Sequence, residues 1–511
     1  MTAVEHRPAA PAGPGTDLAH GPALEALVAE LEPARAVLVG GRALSGAGTF
    51  PVEDPSTLEV LAHVSDGTAA DATAAVDAAA AAFDGWRRTP PRERAEVLRR
   101  AFELLVRDAD RLAALVSAEN GKSLADARGE VLYSAEFFRW YSEEAVRPHG
   151  DFGSSPAGGT RTVVTHRPVG VAALVTPWNF PAAMAARKIA PALAAGCTAV
   201  LKPAAQTPLT AIAVVRLLAE AGVPDGVVNL VPSTASGEVV STWLADPRVR
   251  KVSFTGSTGV GRLLLRQAAD RVLTTSMELG GNAPFVVLPG ADVEAAVAGA
   301  MTAKFRGGGQ ACTAANRFYV HASLAQEFTA RFGAAVEALT VGPASTGRAD
   351  RAAHLRARAR GRRGARGRRP RAGRARRRAR RRPRAPRRPL PRPGAAGRRP
   401  RRRRRAGRGA VRAGRARRRL RRLLGATTGW DGLLERVNGS EMGLAAYVFG
   451  PLGEALRFSE EVEAGMVGVN RGLVSDPSAP FGGMKQSGIG REGARAGVEE
   501  YLETQYLSVA W

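Results

Sequence analysis

The chain has 511 residues, 45% of them apolar, with 58 glycines, which allows two or three domains with cores of their own and suits a large enzyme. Its formal charge of +27 points to nucleic acid, but 36 arginines lie in the 72 residues from Arg351 to Arg422, a stretch without lysine or acid, and the remainder carries a net −9. Only Cys197 and Cys312 are present, which excludes a disulfide framework, and a functional thiol would need the reducing conditions of the cytoplasm, the expected location.

Met1 to about Gly21 is Pro/Ala/Gly-rich with no basic segment followed by an apolar run, so it reads as a flexible tail and not a signal peptide. Ala69 to Val131, including Arg92 to Ala118, carries the apolar periodicity of amphipathic helices. From Val169 short apolar runs alternate with helical stretches. The spacing predicts strands at Val171–Thr176, Thr198–Lys202, Val227–Val231 and Val249–Phe254, with helices at Ala182–Ala195 and Leu209–Ala221. That alternation implies a doubly wound parallel sheet, whose ligands gather at the carboxyl ends of its strands. Apolar runs such as Ala192–Leu201 are half the length of a membrane span, so no crossing is expected.

Several residues at those strand ends have chemistry to offer. Asn179, in Pro177-Trp178-Asn179-Phe180-Pro181, could donate to an oxyanion or simply cap a helix. Lys202 follows one strand later, suited to a ribose or phosphate, or to plain solvent exposure. Phe254-Thr255-Gly256-Ser257-Thr258-Gly259-Val260-Gly261 closes a strand and opens a helix, a geometry that presents N–H groups to pyrophosphate, although its spacing is not G-x-G-x-x-G. Glu278 precedes Leu279-Gly280-Gly281 and is either a general base or an exposed turn carboxylate. The helix Ala291–Phe305 runs into Arg306-Gly307-Gly308-Gly309-Gln310-Ala311-Cys312. The polar stretch after Cys312 is helix-compatible, so the sulfur could sit at a helix N-terminus that favours thiolate; the alternative is a small buried hydrophobe, the reading kept for Cys197. The last residues, ending Tyr506-Leu507-Ser508-Val509, read as a strand able to pair with another edge.

In order and spacing these segments resemble the aldehyde dehydrogenase superfamily, from about Gly40 to Gly342 and again from about Gly432 to Trp511. The resemblance implies an α/β fold with a doubly wound parallel-sheet cofactor domain (22–146 and 169–279), an α/β catalytic domain (280–496) and a small β oligomerisation arm (147–168 and 497–511), assembled as a homodimer or homotetramer. It makes Cys312 the nucleophile that attacks the aldehyde carbonyl, Asn179 with the Cys312 N–H the oxyanion donors, and Glu278 the base for thioester hydrolysis. Thr176, Pro177, Trp178, Lys202, Ala205, Gly256, Ser257 and Leu279 would contact NAD or NADP, and no metal is implied. Many NAD-preferring relatives have glutamate where this chain has Ala205; alanine removes a carboxylate that would repel a 2′-phosphate, so NADP is expected to be accepted, and NAD too. The segment Gly465 to Ser475 before Pro480-Phe481-Gly482-Gly483 is most similar to succinate-semialdehyde dehydrogenases, which implies that Arg187, Arg306 and Ser475 grip a distal carboxylate. Arg317 is expected to be structural. Ala314 stands where some relatives carry a second, redox-active cysteine.

The sequence departs from the family at the arginine tract, about 346–425. Its Arg, Ala, Gly, Pro and Leu cannot form an ordered core, and the family's E-x-F-G-P motif, whose glutamate holds the nicotinamide ribose, has no equivalent. Phe449-Gly450-Pro451 is a decoy, because it follows a segment that lies downstream of that motif in relatives. A nucleic-acid-binding arm would explain the arginines. A GC-rich gene read out of frame also explains the missing acids, the lost motif and the six lysines of the whole chain.

Overall fold

A computed structural model describes residues 21–147, 150–342, 424–427 and 430–510. All of these belong to one compact unit; the tail 1–20 and nearly all of the arginine tract lie outside the described residues. Gly21 opens the helix α1 (Gly21–Glu30).

Strands β1 (Val37–Val39), β2 (Arg42–Leu44), β3 (Gly48–Glu53) and β4 (Val60–Asp66) come first, followed by helices α2 (Ala69–Arg88), α3 (Pro91–Arg107), α4 (Ala109–Asn120) and α5 (Leu124–Glu144). The polar termini of α2 explain where it begins. The Thr68 hydroxyl accepts from the Asp71 N–H while the Asp71 carboxylate accepts from the Thr68 N–H, a reciprocal cap, and Arg87 and Arg88 sit in the last turn. Then come β5 (Phe152–Ser154) and β6 (Thr160–Pro168), after which β7 (Val171–Val175), α6 (Pro181–Ala195), β8 (Thr198–Lys202), α7 (Leu209–Glu220), β9 (Val228–Leu230), α8 (Ser236–Ala245), β10 (Val249–Thr255), α9 (Thr258–Ala269) and β11 (Thr274–Glu278) alternate as the sequence predicts from Val169.

The main sheet runs β11-β10-β7-β8-β9 in parallel, with helices on both faces. Two antiparallel edges that periodicity did not reveal complete it, β1-β2 on one side and β19 (Gly488–Ile489) on the other. Its register aligns the carboxyl ends: Val175 lies beside Lys202 and Phe254, and Thr255 beside Glu278. Thr176, Lys202, Gly256 and Leu279 therefore follow neighbouring strands on one rim. Helix α6 is buried along its whole length, which its alanines permit. Its free N-terminal N–H groups of Ala182 and Ala183 are satisfied by the buried Glu130 carboxylate at 2.9 and 3.2 Å.

A second sheet is all parallel and contains β12 (Ala283–Val287), β13 (Ala315–His321), β14 (Leu424–Thr427), β16 (Ala445–Phe449) and β17 (Met466–Val469), in the order β14-β13-β12-β16-β17. Helices α10 (Val293–Phe305) and α11 (Ala322–Glu337) flank β13 in sequence, and the two-residue strands β15 (Met442–Gly443) and β18 (Met484–Lys485) pair antiparallel with each other. Phe449 stacks on Phe285 at 4.9 Å in the core of this sheet, as suits a residue of a structural strand and not of a cofactor loop. The closing strand β20 (Leu502–Ala510) pairs antiparallel with all nine residues of β6, which is the edge pairing expected of the chain's end.

Candidate active site

The parallel-sheet rim and the loop before β13 meet around Cys312. That loop is a turn between a 3-10 segment, Arg306–Gly309, and the strand β13. The expected helix N-terminus after Cys312 is therefore absent: Ala315-Asn316-Arg317-Phe318 is β-forming and pairs with β12. Correspondingly the thiol is not poised as a thiolate. Burial pushes its pKa up to about 11, Arg187 pulls it down, and Glu278 pushes it further up. Gly307, Gly308 and Gly309 all adopt left-handed φ, between 57° and 75°, which is why three glycines precede the nucleophile. A side chain at Gly307 would also meet the Phe180 ring at 2.9 Å, and one at Gly281 the Cys312 carbonyl at 2.5 Å.

Asn179 donates through Nδ2 to the Gln310 carbonyl at 2.9 Å, so its amide reaches the nucleophile loop. Its capping role is ruled out, because no side chain caps α6 and Glu130 holds the helix's first N–H groups instead. Two residues unforeseen in the sequence fix this loop. Lys122, buried and ion-paired with Glu130, donates to the Asn179 carbonyl at 2.9 Å, and Asn120 donates to the Trp178 carbonyl at 2.8 Å. Each is a polar residue in an otherwise ordinary helix end, so only the tertiary contact identifies it.

Glu278 ends β11 and is 3% exposed, which contradicts the exposed-turn alternative. Burial raises its pKa well above the usual carboxyl range, Glu492 raises it further, and Arg187, Lys188 and Arg491 oppose. Glu492 is itself held by Lys188 at 2.5 Å and Arg187 at 3.0 Å, and Lys188 also donates to the Ser253 hydroxyl at 2.9 Å. Arg187 is thus a buried ion-pair residue of α6 and not a surface one. Its guanidinium lies 3.9 Å from the Phe481 ring centroid, which gives the Pro480-to-Gly488 segment one of its jobs. Arg306 is half-buried between the rings of Tyr133 and Phe180, 5.8 and 5.6 Å away. Ser475 lies close to the Tyr133 hydroxyl, near enough to affect its ionisation, but no hydrogen bond of ordinary geometry joins them. Tyr133, whose flanking sequence carries no mark of function, is thus the residue around which Arg187, Arg306 and Ser475 gather.

Several buried polar atoms without a protein partner belong to this constellation: Asn179 Oδ1, Glu278 Oε2, Arg187 Nη2, Gln310 Oε1 and the Tyr133 hydroxyl. Leaving such atoms unpaired costs about 1–3 kcal/mol each, so their clustering marks a place built for a ligand.

The cofactor candidates line the rim. Lys202 is buried and its ammonium donates to the Pro203 carbonyl at 2.9 Å; burial lowers its pKa to about 8 while Asp66 opposes. Thr176 is buried, with its N–H on the Lys202 carbonyl at 3.1 Å, and Pro177, Trp178 and Ala205 are partly exposed beside it. Gly256 has no room for a side chain against the Phe254 ring, 2.4 Å from where a Cβ would sit. The Ser257 hydroxyl accepts the Val260 N–H as the cap of α9, which leaves its O–H proton and its backbone N–H to donate to a phosphate. Leu279 is buried, donating its N–H to the Ser487 carbonyl at 2.9 Å. Exposed α9 residues Gly259 and Val260 leave the helix's first turn open, so the rim fits a dinucleotide laid over strand ends. Arg317 bonds the carbonyls of Asn282, Arg436 and Val437 at 3.0 to 3.1 Å, the structural role expected of it. Cys197 is fully buried against the Tyr501 carbonyl.

Thiol, amide and carboxyl around one cleft beside a dinucleotide-type rim define an aldehyde-oxidising, nicotinamide-dependent enzyme. The chain belongs to the aldehyde dehydrogenase family, whose sequence pattern matches residues 43–363 and 428–507. It is 47% identical over 452 residues to the succinate-semialdehyde dehydrogenase of Paenarthrobacter nicotinovorans, covering 88% of this chain and 99% of that one. It is 40% identical over 460 residues to the 3-sulfolactaldehyde dehydrogenase of Pseudomonas putida, covering 90% and 93%. The crystal structure of an NADP-dependent enzyme of Escherichia coli superposes with a TM-score of 0.80 at 36% identity, covering 94% of this chain and 99% of that one. Homologues in this family use NAD+ or NADP+. Among the described residues no helix is long and apolar enough to cross a membrane.

Proposed function

We propose that the protein oxidises succinate semialdehyde, or a similar small aldehyde with a distal anion, to the acid with NADP+ or NAD+. The observation that carries the substrate reading is the grouping of Arg187, Arg306 and Ser475 around Tyr133, with Arg187 near enough to Cys312 to lower its thiol pKa. The Cys312 sulfur attacks the carbonyl carbon, and since burial keeps the thiol protonated at pH 7, its proton passes to solvent water at the partly open site as the bond forms. Asn179 Nδ2, released from the Gln310 carbonyl, and the Cys312 N–H stabilise the oxyanion. NAD(P)+ held along the rim by Thr176, Lys202, Gly256, Ser257 and Leu279 would supply the hydride acceptor. Glu278, when ionised, takes a proton from the water that hydrolyses the thioester. Arg306→Ala is expected to raise KM for succinate semialdehyde about 10- to 100-fold, since a charged hydrogen bond contributes about 1.5–3 kcal/mol, with little change for butanal. Arg187→Ala acts in the same direction but also strips Glu492 of a partner. Equal losses on both aldehydes would contradict the carboxylate assignment. A sulfonate-bearing aldehyde is the second reading, favoured by the Pseudomonas relative, and a higher kcat/KM for it than for succinate semialdehyde would establish it.

The absence of a carboxylate at Ala205 and the buried ammonium of Lys202 support acceptance of NADP+. The main sheet supports the cofactor domain, the second sheet the catalytic domain, and the β5-β6-β20 ribbon the oligomerisation arm. Exposed Tyr506 and Leu507 on that ribbon support a homodimer or homotetramer, which a monomeric sedimentation coefficient would contradict. A catalytic thiol supports a reducing, cytoplasmic setting.

The arginine tract we read as a frame error. The family match breaks at residue 363 and resumes at 428, and the Paenarthrobacter relative is nevertheless covered over 99% of its length, which supports replacement of family sequence and not insertion. Translating the interval in another frame is expected to give an acidic and apolar segment containing E-x-F-G-P, and a chain restored that way to turn over far faster than the present one. Resequencing that confirms the frame, robust turnover by the present chain, or DNA binding with a steep salt dependence would contradict this.

A further inference from the structure

We propose that Tyr133 is a specificity-determining residue of the substrate pocket, its phenol hydroxyl donating a hydrogen bond to the distal anionic group of the aldehyde. The inference rests on the carboxylate reading of the site and names a neutral donor between its two arginines. Helix α5 carries Tyr133 and, one turn later, Phe137, whose ring meets it edge-on at 5.0 Å and limits its rotation. Phe180 and Met184 pack against its other side. The Arg306 guanidinium carbon lies 5.8 Å from its ring centroid, and Arg187 interacts electrostatically with its oxygen.

The hydroxyl is buried and bonded to no protein atom among the described residues. Burial raises its pKa, chiefly by desolvation, so at neutral pH it holds its proton and has an O–H to donate to a ligand's anionic oxygen. Two guanidiniums neutralise a carboxylate or sulfonate but do not distinguish it sharply from an anion of another shape; a fixed neutral donor adds direction. A pocket that leaves such a donor unpaired discriminates against ligands lacking the acceptor.

The test is isothermal calorimetry of the full chain with succinate and with butyramide, an uncharged analogue that carries no carboxylate. The parent chain is expected to prefer succinate by about 100-fold. Tyr133→Phe, which keeps every ring contact, is expected to cut that preference about tenfold, or about 1.4 kcal/mol, with butyramide affinity unchanged as the sign of an intact pocket. Arg306→Ala is expected to cut it at least as far. If Arg306→Ala collapses the preference and Tyr133→Phe leaves it whole, or if Tyr133→Phe weakens both ligands equally, the assignment of Tyr133 is overturned while the carboxylate reading stands. A parent chain without preference, or an Arg306→Ala chain that retains it, overturns the carboxylate reading and the proposal together.

Discussion

Cys312→Ala, in the chain restored across 351–422, is expected to lose at least about 10⁴-fold in dehydrogenase turnover, while Cys197→Ala keeps it. The two thiols have pKa values pushed to the same region, about 11 in each case, so acidity does not separate them. Position does. Cys197 is sealed in the sheet with its sulfur on the Tyr501 carbonyl, whereas Cys312 is partly open beside Asn179 and Glu278. A consequence is that alkylation of Cys312 by iodoacetamide should rise about tenfold per pH unit from 7 to 9 without a plateau, because only the thiolate reacts. A plateau near pH 7, or ordinary turnover by the Cys312 variant, would contradict this.

Glu278→Gln is expected to reduce steady-state turnover about 10²- to 10⁴-fold while leaving a first burst of NAD(P)H equal to the enzyme concentration. Thiohemiacetal formation and hydride loss need no ionised Glu278, but hydrolysis does. The raised pKa of Glu278, due first to burial and then to Glu492, makes the parent's hydrolytic step increase with pH until that raised value is passed; the glutamine variant should lack this increase. The same shift has a stability consequence. A carboxyl whose pKa is higher folded than unfolded stabilises most below its unfolded value, about 4.3, and loses that contribution as pH rises through the folded value. Glu278→Gln should therefore gain stability relative to the parent toward alkaline pH, as read by thermal melting.

The alternation of apolar runs and helices was legible in the sequence because strands buried on both faces read as continuous Val/Leu/Ala segments. β8, Thr198–Lys202, has the bounds expected from sequence. The short edges β1, β2 and β19 were not legible, since two or three residues carry no period. Cys312, Glu278 and Asn179 stood out by their glycine and proline neighbours, but their surroundings did not. The helix expected after Cys312 is a strand, because Phe318 and Val320 fill the second sheet's core, a tertiary demand that local propensity does not express. Tyr133, Lys122, Glu130 and Glu492 come from distant helices and the C-terminal segment. Their role depends on what they meet, and nothing in their own flanking sequence separates Tyr133 from any aromatic on a buried helix face.

A covalent thioester on Cys312 is made by one set of groups and released by another. Peptide mass spectrometry of the restored Glu278→Gln chain, quenched in acid after mixing with succinate semialdehyde and NADP+, reads that intermediate directly. The expected result is a succinyl group on the peptide carrying Cys312, formed in step with the NADPH burst and removed by hydroxylamine. Product formation with no acyl mass on that peptide, or an acyl group on Cys197 instead, would contradict it.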